Sequence, residues 1–392
     1  MAQQAPRNLE PYVLDTQVSK RLLSPALVIY MDQVRHNIGA ILAQLGGNPD
    51  RWRPHVKTIK IPAIQAELVR AGIRNFKCAT PREADCLAQV LEDGDAQGAD
   101  ILVAYPLAGP NLERLAEVAQ AHPTVQFAIL VESLESVSAI PDHLNLFLDI
   151  NPGMNRTGVA LADTSRLRQI AHEAGSRLRG LHAYDGHRHE KDLSIRHRNL
   201  EANYAQLAEL VRHLQEDGLR VDEIITAGTP AFLHAAQSMS LASVPGTVHR
   251  VSPGTVVLHD LRSAEENPGL DLQPAALLFS RVVSHPVDGI VTCDAGSKSL
   301  AAEAGDPCAE VLGHPQLQAQ APSEEHLPLE VLSGTPPGRG TELLLMPRHV
   351  CPTVNLAEYA LLVERGKEAR PVSVVARAHE LLLGNVSSAS IR

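Results

Sequence analysis

Lys57 is the residue of this sequence whose position most favours covalent chemistry. It lies in the stretch RPHVKTIK, residues 53–60, after a short β-prone run and before a helical pattern. A lysine amine at the end of a barrel strand can form a Schiff base with a carbonyl compound. A lone lysine in a loop is more often simply solvated, so this interpretation depends on other residues along the chain.

Further candidates are polar side chains that follow two buried-looking runs in the middle of the chain. Arg156 lies in DINPGMNRTG, residues 149–158, and the stretch HAYDGHRH supplies Tyr184, His187 and His189. Because histidine titrates near neutral pH, His187 or His189 is a candidate acid or base. The alternative for each of these residues is an ordinary surface or core position.

Two Gly-Thr turns follow later predicted strands, in TAGTPA (226–231) and SPGTVV (252–257). Free backbone N–H groups in such turns can hold a phosphate group. Each turn alone is a weak signal, but their position after the last two predicted barrel strands coincides with the usual phosphate site of such barrels. The residues concerned are Gly228, Thr229, Gly254 and Thr255.

A histidine and a cysteine lie two residues apart near the end of the chain, in PRHVCPTVNL. In an extended strand, His349 and Cys351 would project from the same face and could share one metal ion. Two protein ligands would leave positions open for water and substrate, as a catalytic site requires. On spacing alone, a buried cysteine beside an incidental histidine is equally compatible with the pattern.

Strand and helix patterns alternate from about residue 53 to residue 260, which indicates a parallel sheet. Thr80, Pro81 and Glu83 supply an N-cap, a first-turn proline and a capping-box partner for one helix. The number and spacing of strands favour a (β/α)8 TIM-like barrel over an open doubly wound sheet. The predicted strands are RPHVK, NFKCA, ILVAY, QFAILV, LNLFLDI, RGLHAY, EIITA and GTVVL.

After about residue 262 the helical stretches become fewer, and strands separated by Pro and Gly become more frequent. This change predicts a mainly β second domain. The early run PALVIY, residues 25–30, is a strand that the barrel does not require, and we expect it to pair with the second domain. We therefore predict a barrel over residues 31–261 and a β domain over residues 262–392. The N-terminal residues 1–30 are predicted to be part of the β domain.

The net charge of −10 gives no electrostatic reason for the chain to bind nucleic acid or an anionic membrane. The N-terminus has no basic segment followed by an apolar core, and no run of about 18 apolar residues occurs, so we expect a cytoplasmic protein. Five scattered cysteines without a CxxC pair indicate reduced thiols rather than a disulfide framework.

Taken together and in this order, the motifs resemble the D-threonine aldolase and D-serine dehydratase family. These are pyridoxal-phosphate enzymes with an alanine racemase-like fold. The resemblance covers nearly the whole chain and includes the stretches RPHVKT, KCATPREADCLA, INPGMNRTGV, HAYDGH, TAGTP, VSPGT, DAGSKSL and PRHVCPTVNL.

The resemblance implies a role for each candidate residue. Lys57 would be the Schiff-base lysine, Arg156 would contact the phenolic oxygen of pyridoxal phosphate, and Tyr184 would lie beside its pyridine ring. His349 and Cys351 would bind a divalent metal, zinc or manganese, and a homodimer interface would complete the active site. The phosphate would be held by Gly228, Thr229, Gly254 and Thr255.

The resemblance leaves two lyase reactions open, because both use the same residues. In an aldolase, His187 or His189 takes the proton of the β-hydroxyl of D-threonine, and cleavage yields glycine and acetaldehyde. In a dehydratase of D-serine or D-3-hydroxyaspartate, Lys57 removes the Cα proton instead. YDGH resembles the aldolase branch and His-x-Cys the dehydratase branch; of the two, we expect the aldolase.

Two further alternatives share the fold. An amino-acid racemase needs no metal. The His349 and Cys351 pair could bind one, and it therefore disfavours the racemase alternative. A non-catalytic pyridoxal-phosphate carrier is a single barrel, and it would have no use for that pair or for the residues that follow the barrel.

Overall fold

A computed structural model describes residues 9–366 and 368–383 of the chain. Within these residues the backbone forms seventeen strands. In chain order they are β1 (Ala26–Tyr30), β2 (Asn75–Cys78), β3 (Asp100–Val103), β4 (Gln126–Val131), β5 (Asn145–Asn151), β6 (Val159–Ala160), β7 (Leu178–Ala183), β8 (Glu223–Thr226), β9 (Val248–Val251), β10 (Ala276–Val287), β11 (Ile290–Cys293), β12 (Ala309–Val311), β13 (Leu317–Ala319), β14 (Leu327–Val331), β15 (Glu342–Pro347), β16 (Tyr359–Glu364) and β17 (Glu368–Ser373).

Twelve α-helices and five short 3₁₀ helices accompany the strands in the described part of the chain. The α-helices are α1 (Thr16–Ser19), α2 (Met31–Gln44), α3 (Pro62–Arg70), α4 (Pro81–Asp93), α5 (Pro110–Ala121), α6 (Leu134–Ala139), α7 (Thr164–Ala174), α8 (Leu193–Glu216), α9 (Phe232–Gln237), α10 (Met239–Ala242), α11 (Leu261–Glu266) and α12 (Val350–Leu356). The 3₁₀ helices are Glu10–Tyr12, Pro49–Arg51, Val56–Thr58, Gly175–Arg177 and Thr255–Val257.

The chain divides into two compact units. The barrel unit comprises Leu42–Lys57, Leu68–Gly254 and Ala378–Arg392, and the antiparallel unit comprises Met1–Ile41, Thr58–Glu67 and Thr255–Arg377. The predicted combination of a TIM-like barrel with a mainly β second domain is confirmed. The predicted boundaries at residues 31–261 and 262–392 stay a prediction, and residues 1–8 of the predicted N-terminal part lie outside the described residues.

Seven parallel strands build the barrel unit, in the order β2, β3, β4, β5, β7, β8, β9, with the short β6 attached to β5. The segment before Lys57 connects the two ends of this row. Trp52 forms a parallel bridge to Val251 on β9, and His55 forms one to Lys77 on β2. The eighth position of the barrel is therefore occupied by bridges rather than by a full strand.

Two of the predicted strands are wrong in detail. RPHVK contributes only isolated bridges, because Pro54 has no N–H to donate and the chain continues as the 3₁₀ helix Val56–Thr58. GTVVL forms the 3₁₀ helix Thr255–Val257, and the last barrel strand is β9, which the prediction omitted. The two buried valines of GTVVL satisfy the pattern of a strand, but their burial comes from a helical turn.

The predicted start of α4 is confirmed. The Thr80 hydroxyl accepts the N–H of Glu83 at 3.1 Å, and Pro81 occupies the first turn. The Glu83 carboxylate reaches back to the N–H of Ala79 at 2.7 Å, one residue before the cap. These bonds satisfy backbone donors that the first turn of a helix cannot pair internally.

Arg53 holds the segment that precedes Lys57. Its Nε and Nη2 each donate to a carboxylate oxygen of Glu223 at 2.7 Å, and its Nη1 donates to Asp100 Oδ1 at 2.5 Å. All three side chains are buried, so each charge is compensated by a partner within the protein. The backbone just before Lys57 is therefore tied to β3 and β8.

The antiparallel unit is a nine-stranded sheet in the order β11, β14, β13, β12, β15, β10, β1, β16, β17, with a further pairing between β11 and β10. The predicted pairing of the early strand is confirmed, because β1 lies between β10, to which it is antiparallel, and β16, to which it is parallel. Among the residues that the structure describes, no helix is long and apolar enough to cross a membrane.

Candidate active site

Lys57 lies in the barrel unit, in the 3₁₀ helix that directly follows the bridging segment. Its backbone N–H donates to Nδ1 of His55 at 3.3 Å, and its side chain is half-buried. Parallel pairing with β2 and β9 places the end of the bridging segment at the carboxyl ends of the barrel strands, where active sites of such barrels lie.

Tyr184 follows β7, and two cationic side chains lie close to its ring. The Arg156 guanidinium carbon is 4.9 Å from the centre of the Tyr184 ring, and Lys77 Nζ is 5.6 Å from it. Gly228 lies beside the same ring, since a Cβ added there would be 2.9 Å from a ring carbon of Tyr184. The structure thus brings together three predicted site residues, Arg156, Tyr184 and Gly228.

Lys77 is a residue of this site that sequence reasoning missed. It is 2% exposed on β2, and its Nζ lies 3.4 Å from Nε2 of His182, whose Nδ1 lies 2.8 Å from Asp149 Oδ1. The sequence signal that could have identified Lys77 is its position inside the predicted strand NFKCA, because a strand in a parallel sheet is buried on both faces. A lysine in such a strand is buried and needs partners.

Asp185 connects the Tyr184 loop to the first Gly-Thr turn. It accepts the hydroxyl of Tyr204 at 2.6 Å and the backbone N–H of Gly228 at 3.3 Å. Burial raises the pKa of Asp185 to about 6. Because Asp185 is adjacent to Tyr184 in sequence, these bonds fix the ring and the turn against each other.

The two predicted phosphate turns follow neighbouring strands of the barrel unit. Gly228 and Thr229 come after β8, and Gly254 comes after β9. A Cβ at Gly254 would be 2.1 Å from the backbone oxygen of His55, so only glycine fits there. Thr255 begins the last segment of the antiparallel unit and is the first residue of the 3₁₀ helix Thr255–Val257.

Gly254→Ala is expected to lower the free energy of unfolding by about 1–3 kcal/mol, the usual cost of overpacking, because His55 cannot move without its bridge to Lys77. Urea denaturation followed by circular dichroism measures the change. Gly338→Ala is the matched control, since a Cβ there meets nothing within 4 Å. Equal stability of the two variants would contradict the close approach.

His187 and His189 differ in their environments. His187 is half-buried, and neither of its ring nitrogens has a hydrogen-bond partner among the described residues. A Cβ at Gly153 would be 3.3 Å from His187 Nε2. Burial, with a smaller contribution from Arg188, lowers the pKa of His187, which favours the neutral base. His189 is exposed, so His187 is the better candidate base.

His349 and Cys351 lie in the antiparallel unit, but not in a strand as the sequence analysis assumed. Strand β15 ends at Pro347, His349 is the N-cap of α12, and Cys351 is in the first turn of that helix. The physical reason is Pro352, whose fixed φ and missing N–H suit the start of a helix. The predicted strand geometry for this pair is therefore wrong.

The two side chains nevertheless face each other. A hydrogen bond with Cys351 raises the pKa of His349 to about 9. The backbone N–H between them, at Val350, donates to Oδ2 of the buried Asp260 at 3.0 Å. Nδ1 of His349 lies 3.0 Å from Glu303 Oε1, an arrangement that orients an imidazole towards a second partner.

Cys351 is also surrounded by hydroxyl groups, with its Sγ 2.9 Å from Thr58 Oγ1 and 3.3 Å from Thr255 Oγ1. Within residues 9–366 and 368–383, no group of three or more His, Cys, Asp or Glu side chains is arranged to hold a metal ion. A thiol and an imidazole in contact suit a soft divalent metal, which would take its other ligands from water or substrate.

Comparison with known proteins identifies two matching domains in the chain. The alanine racemase N-terminal domain matches residues 29–258, and a putative serine dehydratase domain matches residues 275–363. The first of these covers more than half of the chain.

Similar proteins include lyases from several bacteria. D-threonine aldolase of Arthrobacter sp is 27% identical over 365 residues, which cover 88% of this chain and 90% of that protein. D-threo-3-hydroxyaspartate dehydratase of Delftia sp is 26% identical over 294 residues, which cover 72% of this chain and 73% of that protein. The solved structure of D-threonine aldolase from Filomicrobium marinum is 24% identical, with a TM-score of 0.78 over 91% of this chain and 95% of that one.

Proposed function

Because this chain belongs to the alanine racemase N-terminal domain family, we propose that it is a pyridoxal-phosphate-dependent lyase that cleaves D-β-hydroxy amino acids, with D-threonine giving glycine and acetaldehyde. The resemblance to the D-threonine aldolase and D-serine dehydratase family is confirmed by the two matching domains and by the similar lyases. The observation that carries the aldolase proposal is His187, a half-buried histidine without a hydrogen-bond partner among the described residues.

The residues of the barrel unit fit pyridoxal phosphate. Lys57 would form the covalent link, Arg156 would pair with the phenolic oxygen, and Tyr184 would support the ring. Gly228, Thr229 and Gly254, with Thr255, would hold the phosphate through the backbone N–H groups of the two turns. Gly228 supports the fit, because a Cβ there would be 2.9 Å from the Tyr184 ring that would support the cofactor. When bound, the cofactor supplies the electron sink that bond cleavage at the substrate Cα requires.

His187 would take the proton from the substrate β-hydroxyl as the bond between Cα and Cβ breaks. Its lowered pKa keeps the imidazole neutral at physiological pH, as a base requires. A divalent metal on His349 and Cys351, zinc or manganese, would lower the pKa of the same hydroxyl. The thiolate supports zinc more than manganese. A homodimer and a cytoplasmic location stay predictions.

Dehydration of D-serine or D-3-hydroxyaspartate is the second candidate function. Cys351 is the specific observation that favours it, because the His-x-Cys pair resembles the dehydratase branch of the family. The similarity to a dehydratase from Delftia sp adds support. Racemase and carrier functions have weaker support, because the putative serine dehydratase domain matches residues 275–363, a range that includes His349 and Cys351.

His187→Ala is expected to lower kcat for D-threonine cleavage by about 10²-fold or more, the usual scale for loss of a positioned base. His189→Ala, at an exposed position, is the matched control and should retain most activity. In the unmodified enzyme, a plot of kcat against pH should fall on its acidic side with an apparent pKa below the ordinary histidine value of about 6.5.

Product analysis of the unmodified enzyme with D-threonine tests the reaction itself. Glycine and acetaldehyde in equal amounts are the expected products. Ammonia and 2-ketobutyrate without glycine would transfer the assignment to the dehydratase reaction. Absence of either pair of products, with D-serine and D-3-hydroxyaspartate also unchanged, would contradict the proposed function as a whole.

A further inference from the structure

Lys77, His182 and Asp149 form a continuous row of polar side chains inside the barrel unit. Lys77 is on β2, His182 on β7 and Asp149 on β5, and the last two are register partners. The distances along the row are 3.4 Å from Lys77 Nζ to His182 Nε2 and 2.8 Å from His182 Nδ1 to Asp149 Oδ1. All three are at most 4% exposed.

The bonding pattern defines the role of each member of the row. When the Lys77 amine is protonated it has only donors, so His182 Nε2 then accepts, and His182 Nδ1 carries the proton that Asp149 accepts. A neutral imidazole between an ammonium and a carboxylate orients both groups. The row therefore fixes the position of the Lys77 amine, 5.6 Å from the centre of the Tyr184 ring.

We propose that Lys77 is a further positioning residue of the cofactor site, whose ammonium, held by His182 and Asp149, supplies a positive charge beside Tyr184 that favours binding of an anionic pyridoxal compound. The inference rests on the proposed function, because it assumes that Tyr184 and Arg156 bind this cofactor. Arg156 provides a cation at the same ring, 4.9 Å from its centre. The two cations together compensate the negative charge of the phosphate and phenolate groups.

The Lys77 amine is sensitive to the charge of its surroundings. Burial lowers its pKa to about 7, with further lowering by Lys57. In the protein without cofactor the amine is therefore partly neutral at physiological pH. The charged and titratable groups that face it are Lys57, Asp185, Arg53, Arg156, His182, Asp149 and Tyr184.

A bound anion favours the protonated form of Lys77 and so raises its pKa. Binding of the cofactor at pH 7.5–8 must then be accompanied by uptake of a proton at this amine. The sign is fixed, because a lysine whose pKa rises on binding takes up a proton at any pH between the two values.

The experiment compares apoenzyme of the unmodified chain with the variants Lys77→Met and Lys77→Arg. Isothermal calorimetry of pyridoxal phosphate binding, in two buffers of different ionisation enthalpy at pH about 8, gives both the Kd and the number of protons exchanged. Lys60→Met is the matched control, since Lys60 is also buried but lies in the antiparallel unit with its Nζ 3.3 Å from the Ala376 carbonyl oxygen.

Lys77→Met is expected to raise the Kd about tenfold, the scale of one partly buried charge interaction, and to remove part of the proton uptake. Lys77→Arg should retain affinity and still lose the uptake, because arginine stays protonated. Circular dichroism first shows that each variant is folded. If either side chain does not fit the barrel, Lys77→Gln is measured in its place, with the outcome expected for Lys77→Met.

Unchanged Kd and unchanged proton uptake in Lys77→Met would overturn the proposal. A Lys60→Met variant with the same loss as Lys77→Met would also overturn it, since the effect would then be general to buried lysines. If the unmodified chain binds no pyridoxal phosphate, the proposed function fails. If it binds the cofactor and cleaves D-threonine but Lys77→Met is normal, only the inference fails.

Discussion

Lys57→Ala is expected to remove the visible absorbance of the protein with pyridoxal phosphate and to lower kcat for D-threonine cleavage by roughly 10³-fold or more, as loss of a covalent nucleophile does. Lys57 is the amine at the carboxyl end of the barrel strands, and the Arg53 contacts fix its backbone. We do not expect Lys77 to replace this function, because it is 2% exposed and bonded to His182.

Borohydride reduction followed by peptide mapping measures this prediction directly. The label should appear on Lys57 in the unmodified protein and should be absent in Lys57→Ala and in Lys57→Arg, which retains the positive charge. Lys298→Ala, an exposed lysine paired with Glu324, serves as the control and should behave as the unmodified protein does. A label on Lys77 or Lys60 would show that the cofactor lysine is assigned wrongly.

Cys351→Ala is expected to abolish metal binding and to lower kcat by roughly 10³-fold, since a metal supplies several kcal/mol of stabilisation to a developing alkoxide. The fold should persist, because the part of the chain that carries Cys351 has its own apolar core and strand pairing. Metal content by elemental analysis and the far-ultraviolet circular dichroism of the variant measure the two effects separately.

Chelation should produce the same loss of activity and should leave the absorbance of the bound cofactor nearly unchanged. Cys86→Ala, a change of a half-buried cysteine on α4 in the barrel unit, is the matched control. Added zinc should restore the chelated enzyme but not Cys351→Ala. Complete unfolding on chelation would indicate that the metal is structural, and full activity of Cys351→Ala would exclude the cysteine as a ligand.

The main architecture was predictable from the sequence because its signals are local. The cap at Thr80, the alternating strands and the early strand β1 follow from residue types and spacing within short windows. The errors arose where local signals compete. The valines of GTVVL are β-branched, yet the chain forms the 3₁₀ helix Thr255–Val257. Helix α12 begins at Val350, with Pro352 in its first turn, where an extended strand was expected.

The candidate site could be predicted only in part. Tyr184 and Arg156 lie in distinctive motifs, and in the structure the Arg156 guanidinium contacts the Tyr184 ring. Lys77 could not be recognised as their neighbour, because its partners His182 and Asp149 are 105 and 72 positions away along the chain, and only the closed barrel brings them together. The choice of His187 over His189 likewise depends on the burial of each side chain, which cannot be inferred from the spacing of the histidines in the sequence.

The position of β1 has a consequence for the order of folding during synthesis. Strands β2 to β9 connect neighbours that are close in sequence, so the barrel has many local contacts and can form as the chain leaves the ribosome. β1 is synthesised earlier than all of them, but its partners β10 and β16 end only at residues 287 and 364. We therefore expect β1 to lack a strand partner until the chain has been synthesised at least to Phe279, which leaves its backbone donors and acceptors open to pairing with other chains during that time.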